Sequence, residues 1–232
     1  MNITVIHGQN HKGTTYTMAH ILLRKLKNVE SVREFFLPRD LNHFCVGCYR
    51  CIEDETDCPF YGEKKEILTA MEKSDLFIFT SPNYCMAPSA PMKSFLDLMF
   101  DYWMVHRPKA WMFQKRAVIL SSSAGASCKH VVSVVRSSLA YWGVSDIKAC
   151  TVAAHAKNPS EISAAMSKKI DKKLSRLACA VSCERPPRIS PKTKMLFFIL
   201  SRMHKVGFNS SPCETAYWKE RGWLDKKRPW KN

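Results

Sequence analysis

The chain has 232 residues, 46% of them hydrophobic, and a formal net charge of +16. That length and apolar content suffice for one sizeable core, or for one domain with an extension, and exclude a disordered chain. The opening MNITVIHG has no basic region and no long apolar run, so no signal peptide is expected, and MLFFIL (195–200) is far too short to span a bilayer.

A cytoplasmic protein is therefore expected, in which the ten cysteines stay mostly reduced and a disulfide framework is disfavoured. The charge is uneven: residues 186–232 hold eleven Lys/Arg against three Asp/Glu. A basic field selects anionic ligands, acidic proteins or anionic surfaces. There is no regular basic–aromatic interleaving and no nucleic-acid motif, so nucleic acid is not an expected partner.

The first 185 residues alternate between β-rich runs and helical patterns. NITVIH (2–7) reads as an apolar strand, and TTYTMAHILLRKLKN (14–28) carries apolar residues at helical spacing. VREFFL (32–37) is a second strand and GEKKEILTAMEKS (62–74) an amphipathic helix. DLFIFTSP (75–82) is continuously apolar, as in a strand covered on both faces. SAPMKSFLDLMFDYW (89–103) reads as a helix with Ser89 as its cap and Pro91 in its first turn. RAVILSSS (116–123) is a strand, CKHVVSVVRSSLAYWG (128–143) a helix ended by Gly143, DIKACTVAAH (146–155) the fifth strand, and residues 159–181 the closing helix. Five strands alternating with five helices argue for a parallel α/β sandwich.

From Pro186 the pattern changes. PPRISPKTK reads as a linker, and KMLFFILSRMHKV (194–206) as a short helix with Leu196, Ile199, Leu200 and Met203 on one face. Packing on the parent domain or on a second subunit is expected for that face, in preference to a membrane surface. Trp218, Trp223 and Trp230 would serve as anchors. Residues 1–185 are thus one domain and residues 186–232 a basic C-terminal extension.

Parallel sheets bind ligands beyond the carboxyl ends of their strands. HGQNHKGTTYT (7–17), after the first strand, has Gly8 and Gly13 for tight turns, and Thr14 and Thr15 to cap the helix and offer hydroxyls. The free amides of a helix N-terminus attract phosphate. The spacing fits neither G-x-G-x-x-G nor G-x4-G-K-[ST]. TSPNYCMAPSAPMKSF (80–95), after the third strand, is stiffened by Pro82 and Pro88, with Asn83 and Tyr84 expected at its tip to meet a flat ring. SSSAGASCK (121–129), after the fourth, offers small residues, amides and hydroxyls.

G-Q-N-H-K-G-T-T (8–15), S-P-N-Y (81–84), K-S-F-L-D-L (93–98), H-R-P (106–108) and S-S-A-G (122–125), in this order, resemble the flavodoxin-like NAD(P)H-dependent FMN reductase family. Gln9, His11 and Leu98 depart from that pattern. The resemblance implies a flavodoxin-like three-layer sandwich with strand order 2-1-3-4-5. It implies FMN, with the phosphate on Gln9, His11, Gly13, Thr14 and Thr15. The isoalloxazine would lie against Pro82, Asn83, Tyr84 and the turn of Ser122, Ser123, Ala124 and Gly125. It further implies NAD(P)H as cosubstrate, a small-molecule or protein electron acceptor, and a homodimer. The flavin carries the chemistry, so no catalytic side chain is expected.

Cys45, Cys48, Cys51 and Cys58 have the spacing C-x2-C-x2-C-x6-C. Zinc ribbons usually set two C-x2-C pairs well apart. Three cysteines spaced by two, then a later Cys followed by Pro59, resemble the bacterial ferredoxin run, with six intervening residues in place of three. The iron–sulfur flavoproteins, a branch of the same superfamily, carry a motif of this type. That resemblance implies a [4Fe–4S] cluster on these four residues and an electron carrier that exchanges electrons with a ferredoxin-like partner. The alternative is a loop of reduced cysteines. Glu53, Asp54, Glu55 and Asp57 are expected to form a solvated face. Cys85 is expected to pack, near the flavin. Cys128, Cys150, Cys179, Cys183 and Cys213 are expected to be structural.

Overall fold

Strand β3 (Leu76–Thr80) is buried along its whole length, and the other strands are arranged around it. Beside it lie β1 (Asn2–His7), then β2 (Ser31–Phe36) at one edge, and β6 (Arg116–Ser123), then β7 (Asp146–Ala153) at the other. The order β2-β1-β3-β6-β7 is 2-1-3-4-5 counted over the sheet strands alone, and every pairing in it is parallel. β4 (Asn83–Tyr84) and β5 (Ala87–Pro88) form a separate antiparallel hairpin. The computed structural model describes residues 1–156, 158–182, 186–208 and 211–231.

Both faces of the sheet are covered, which is why β1, β3 and β6 read as continuous apolar runs. On one face lie α1 (Thr14–Lys25) and α6 (Ala164–Val181), whose Met18, Leu22, Leu174 and Leu177 meet Ile3, Val5, Ile78 and Val118. On the other lie α3 (Tyr61–Lys73), α4 (Ala90–Leu98) and α5 (Lys129–Tyr141), whose Ile67, Phe95 and Leu139 meet Ile6, Phe77 and Ile119. The expected sandwich is present, with helices shorter than their periodicity. α1 stops at Lys25, and the stretch after Leu98 turns into a 3₁₀ segment at Phe100–Tyr102. α6 starts at Ala164, capped by Ser163, and its predicted first turn is a separate 3₁₀ turn, Pro159–Glu161. Gly143, with φ +104°, ends α5 as expected.

The expected boundary at 185/186 and Cys183 lie outside the described residues. Beyond them, α7 (Pro191–Lys205) begins inside the stretch read as a linker, because Ser190 caps it and Pro191 suits its first turn. α8 (Pro212–Glu220) is opened by a capping box of Ser211 and Glu214. Short length and heavy charge hide α8 from periodicity. The face of α7 that packs is Phe197, Leu200, Ser201 and His204; of the expected set, Ile199 is 46% exposed. Phe197, Trp218 and Trp223 pack with Met104 and Phe113 of the main body. Two buried aromatics of α8 find polar partners in the main body: Trp218 Nε1 donates to His106 O (2.8 Å) and Tyr217 OH to Pro108 O (2.7 Å).

His204 stacks on Trp218 at 4.6 Å, and its Nε2 lies 2.9 Å from Val105 O. A carbonyl only accepts, so Nε2 carries the proton, and buried Nδ1 is left bare, without a partner among the described residues. Burial pushes the pKa of His204 below 6.5, against the pull of the Val105 hydrogen bond. The native state therefore binds fewer protons than the unfolded chain below about pH 6.5, and stability falls as pH falls. Melting from about pH 7.5 to about pH 5.5 should show a smaller loss of Tm in His204→Gln, which keeps a donor and does not titrate. Equal losses in both proteins would remove His204 from the account.

Candidate active site at the carboxyl edge of the sheet

The first loop leaves β1 at Gly8, whose N–H donates to Thr80 O at the end of β3 (2.7 Å). A Cβ on Gly8 would stand 2.8 Å from Thr80 O and 2.7 Å from Ser89 Oγ, so only glycine fits. Ser89 is the N-cap of α4, as expected, but its side chain does not cap the helix. Instead Oγ turns away and donates to Gly8 O (2.6 Å). Its own N–H donates to Ser81 Oγ (3.0 Å), and Ser81 N–H to Leu120 O of β6 (3.0 Å). One hydrogen-bonded chain thus joins the starts of all three loops.

Gln9, His11 and Lys12 follow on the surface, and Gly13 is the N-cap of α1 with no side-chain cap. Thr14 and Thr15, expected to cap, are instead the first two helical residues; Thr15 is buried, and the first turn holds no acid. Its N-terminal amides are left to an anion or to water.

Pro82 leads into the β4–β5 hairpin. Asn83 and Tyr84 form its first strand, and its tip is Cys85 and Met86, both at positive φ (+48° and +66°). Two successive left-handed residues define a type I′ turn, for which glycine and asparagine are the usual signals. Neither is present, so the hairpin was not legible. Cys85, expected to pack, is exposed there. Asn83 Nδ2 donates to Ser127 O of the third loop (3.0 Å), while its buried Oδ1 has no partner among the described residues. Ser122 is buried at the end of β6, Ser123 is half-buried, and Ala124 and Gly125 are exposed. Ser123 O and Ala124 O accept from Ala154 and His155 of the segment after β7 (2.8 and 2.9 Å). His155, at φ +51°, flanks Gly125 and went unnoticed in the sequence because it belongs to no loop with a motif.

Cys45, Cys48, Cys51 and Cys58 line one cavity of about 300 Å³ with Tyr49, Phe60, Leu98 and Phe100. Gly47 and Tyr49 take positive φ (+65° and +58°) to bend the loop around it. The short helix α2 (Arg50–Glu53) and a 3₁₀ turn at Glu55–Asp57 carry the chain from Cys51 to Cys58. Cys45 and Cys48 are exposed; Cys51 and Cys58 are half-buried. Burial first, then the charge of Asp101, pushes the Cys51 thiol up to about 12, against the nearby Lys64. Lys64 and Asp101 form a buried pair behind the cavity (3.0 Å), with Lys64 Nζ also donating to Leu98 O. Burial raises the Asp101 carboxyl, and Lys64 opposes the rise.

Of the four acids expected to be solvated, Glu55 is not. It accepts from Tyr102 OH (2.9 Å) and pairs with Lys109 (2.8 Å). Arg107 donates to Glu53 O (2.7 Å) and lies 5.2 Å over the Tyr217 ring, and His106 pairs with Glu214. The H-R-P triplet therefore bolts the cysteine loop to α8. Cys128 and Cys150 are buried as structural residues should be, whereas Cys179 and Cys213 are exposed.

A parallel sheet in this order, with its working loops at the carboxyl edge, defines a flavodoxin-like α/β protein. The sequence profile of the NADPH-dependent FMN reductase family matches residues 1–159, and the chain belongs to that family of oxidoreductases. It is 24% identical over 216 residues to the iron–sulfur flavoprotein of Archaeoglobus fulgidus, covering 91% of this chain and 94% of that protein. An azoreductase from Bacillus anthracis str. Sterne superposes with a TM-score of 0.58 at 12% identity, over 77% of this chain and 99% of that one. An FMN-dependent NADH-azoreductase from Bacillus anthracis str. Ames Ancestor, in complex with FMN, does so with a TM-score of 0.54 at 15% identity, over 77% and 100%. These two likenesses are likenesses of fold.

The Gly8–Ser89 contact makes a measurable prediction. Ser89→Ala strands Gly8 O and should cost about 1–3 kcal/mol in denaturant unfolding. Gly8→Ala should cost about as much by overpacking. Ser89→Ala removes one of the three atoms that the new Cβ meets, so the double variant should lose less than the sum. Strict additivity would show that the two sites do not share this contact.

Proposed function

We propose that the protein binds FMN at the three-loop edge and passes electrons from NAD(P)H through it to an acceptor. The observation that carries this reading is the convergence of the three loops, which brings to one sheet edge an uncapped, acid-free helix start on the first loop and, on the second, a buried Asn83 Oδ1 with no partner among the described residues. A flavin mononucleotide matches both, having a dianionic phosphate at one end and a ring N–H at the other. FMN supplies hydride exchange with NAD(P)H and one- or two-electron transfer to the acceptor.

The protein's part is to bind and orient. In this reading the first amides of α1, Gln9, Gly13, Thr14 and Thr15 hold the phosphate, with His11 and Lys12 adding positive charge. Asn83, its amide nitrogen committed to Ser127 O, presents its oxygen to the ring. Pro82 and Tyr84 bound the ring on one side. Ser122, Ser123, Ala124 and Gly125 bound it on the other. The carbonyls of Ser123 and Ala124 are engaged by Ala154 and His155, which favours turning amides toward the charge of reduced flavin. The FMN-binding unit is residues 1–185, and the extension buttresses it. Phe44, Val46 and Tyr49 of the cysteine loop and Tyr84 and Met86 of the hairpin are exposed and suit a homodimer contact. The acceptor is a quinone, a nitro compound, free flavin or a protein carrier.

A second reading adds a [4Fe–4S] cluster on Cys45, Cys48, Cys51 and Cys58, exchanging electrons with a ferredoxin-like partner. It is supported by the single cavity that all four cysteines line, and by the name of the Archaeoglobus relative. Such a cluster supplies one-electron transfer. The cysteines' part is to give up their protons and ligate it.

Protein purified without oxygen should show flavin absorption that bleaches on NADPH or NADH addition. In the second reading it also carries iron and sulfide, which Cys45→Ser/Cys48→Ser removes without loss of flavin. A colourless protein that takes up no FMN on reconstitution overturns the first reading. Absence of iron and sulfide after anaerobic reconstitution overturns the second.

A further inference from the structure

We propose that His7, His20 and Glu34 form a binding site for a divalent transition metal of the zinc type, adjoining the base of the three-loop edge but built from other side chains, and sharing no residue with the cysteine cavity. The three residues come from three elements. His7 is the last residue of β1, His20 lies in α1, and Glu34 is on β2 at the sheet edge. Val5 pairs with Glu34 and His7 with Phe36 in the parallel register. Side chains two residues apart share a strand face, so His7 and Glu34 both face the layer of α1, which supplies His20.

The donor atoms converge. His7 Nε2 lies 2.8 Å and His20 Nε2 3.0 Å from the same oxygen, Glu34 Oε2. All three donor atoms fall within 4.8 Å of one another. Two imidazole nitrogens and one carboxylate oxygen are a zinc donor set that leaves a fourth position for water. His7 Nδ1 lies 3.1 Å from Thr80 Oγ1. Without a metal the Glu34 carboxylate only accepts, so His7 Nε2 carries the proton and Nδ1 accepts from the Thr80 hydroxyl; metal binding at Nε2 moves the proton to Nδ1, which then donates to that hydroxyl, the outer-shell arrangement that holds metal-binding histidines in one tautomer. The rings are held as well: His7 stacks on Phe36 (4.4 Å) and His20 packs on Tyr16 (4.1 Å). His7 is 2% exposed, whereas His20 and Glu34 are 30% and 26% exposed. One ligand is thus buried and fixed, while the other two face a route for an ion and its water. A metal here clamps edge strand β2 and helix α1 to the residue just before Gly8.

The donor set contains no sulfur, which separates this site from the cysteines by spectroscopy. Co²⁺ and Zn²⁺ are titrated into the full chain carrying Cys45→Ser/Cys48→Ser, both exposed positions. One equivalent of Co²⁺ is expected, with weak visible bands and no thiolate charge-transfer band, displaced by Zn²⁺. Zn²⁺ should also raise Tm by mass action on the native state. His20→Gln and Glu34→Gln should abolish both effects, and Thr80→Val should weaken binding about 10–100-fold. His20 lies on a partly exposed helix surface, so His20→Gln carries the test if Glu34→Gln misfolds; circular dichroism checks this. Unchanged stoichiometry and Tm shift in His20→Gln, a thiolate band on the bound cobalt, or no bound equivalent would each overturn the site.

Discussion

The hydrogen bond from Ser89 Oγ to Gly8 O is buried and 2.6 Å long, and the working edge of this protein depends on it. Parallel strands deliver their loops to one edge but do not fix the distances between them. Here the distances are set by a relay: Gly8 to Thr80 and Ser89, Ser89 to Ser81, Ser81 to Leu120. Buried polar chains of this kind are stabilising only when every member is satisfied. The geometry therefore tolerates little variation at Gly8, where a single methyl group would meet a backbone oxygen. Asn83 extends the relay outward by fastening the hairpin to Ser127, so the third loop is fixed by the second.

What could be read from the sequence followed from how much one physical term dominated. The sheet was legible because two covered faces demand continuous apolar runs, and strands β1, β3 and β6 supply them. The three loops were legible because topology places them on one edge whatever their conformation. Conformation inside the loops was not. The turn at Cys85 and Met86 uses left-handed residues that carry no glycine or asparagine signal. The Ser89 hydroxyl had two local uses open to it, and a partner 81 residues away decided between them. Glu55 looked like part of an acidic face because Tyr102 and Lys109, which hold it, are distant in sequence. α8 lacked a periodic apolar stripe because its burial rests on Tyr217 and Trp218 alone among its large apolar residues.

The C-terminal extension does more than cover an apolar patch. Its Tyr217 and Trp218 reach the carbonyls of Pro108 and His106, and its Glu214 meets the His106 ring. The residue between them, Arg107, reaches the other way to Glu53 O in the cysteine loop. Three consecutive residues thus lie between two segments that have no sequence signal for each other. Loosening α8 consequently alters the support of the cysteine cavity through Arg107, and a readout at the cysteines reports on the extension.

The two ends of this machinery have opposite electrostatics. At the three-loop edge, the start of α1 presents uncapped amides, and no acid stands in its first turn. Negative charge gained there is stabilised. At the cysteine cavity the nearest buried pair puts the Asp101 carboxylate close enough to raise the Cys51 thiol, while Glu55 lies in the same loop. Negative charge gained there is opposed, apart from what Lys64 returns. The free amides at one place and the Asp101 carboxylate beside the other both follow from features packed for structural reasons. Charge gained at the two places is accordingly treated in opposite ways: free helix amides favour it at the start of α1, while burial and Asp101 oppose it at Cys51.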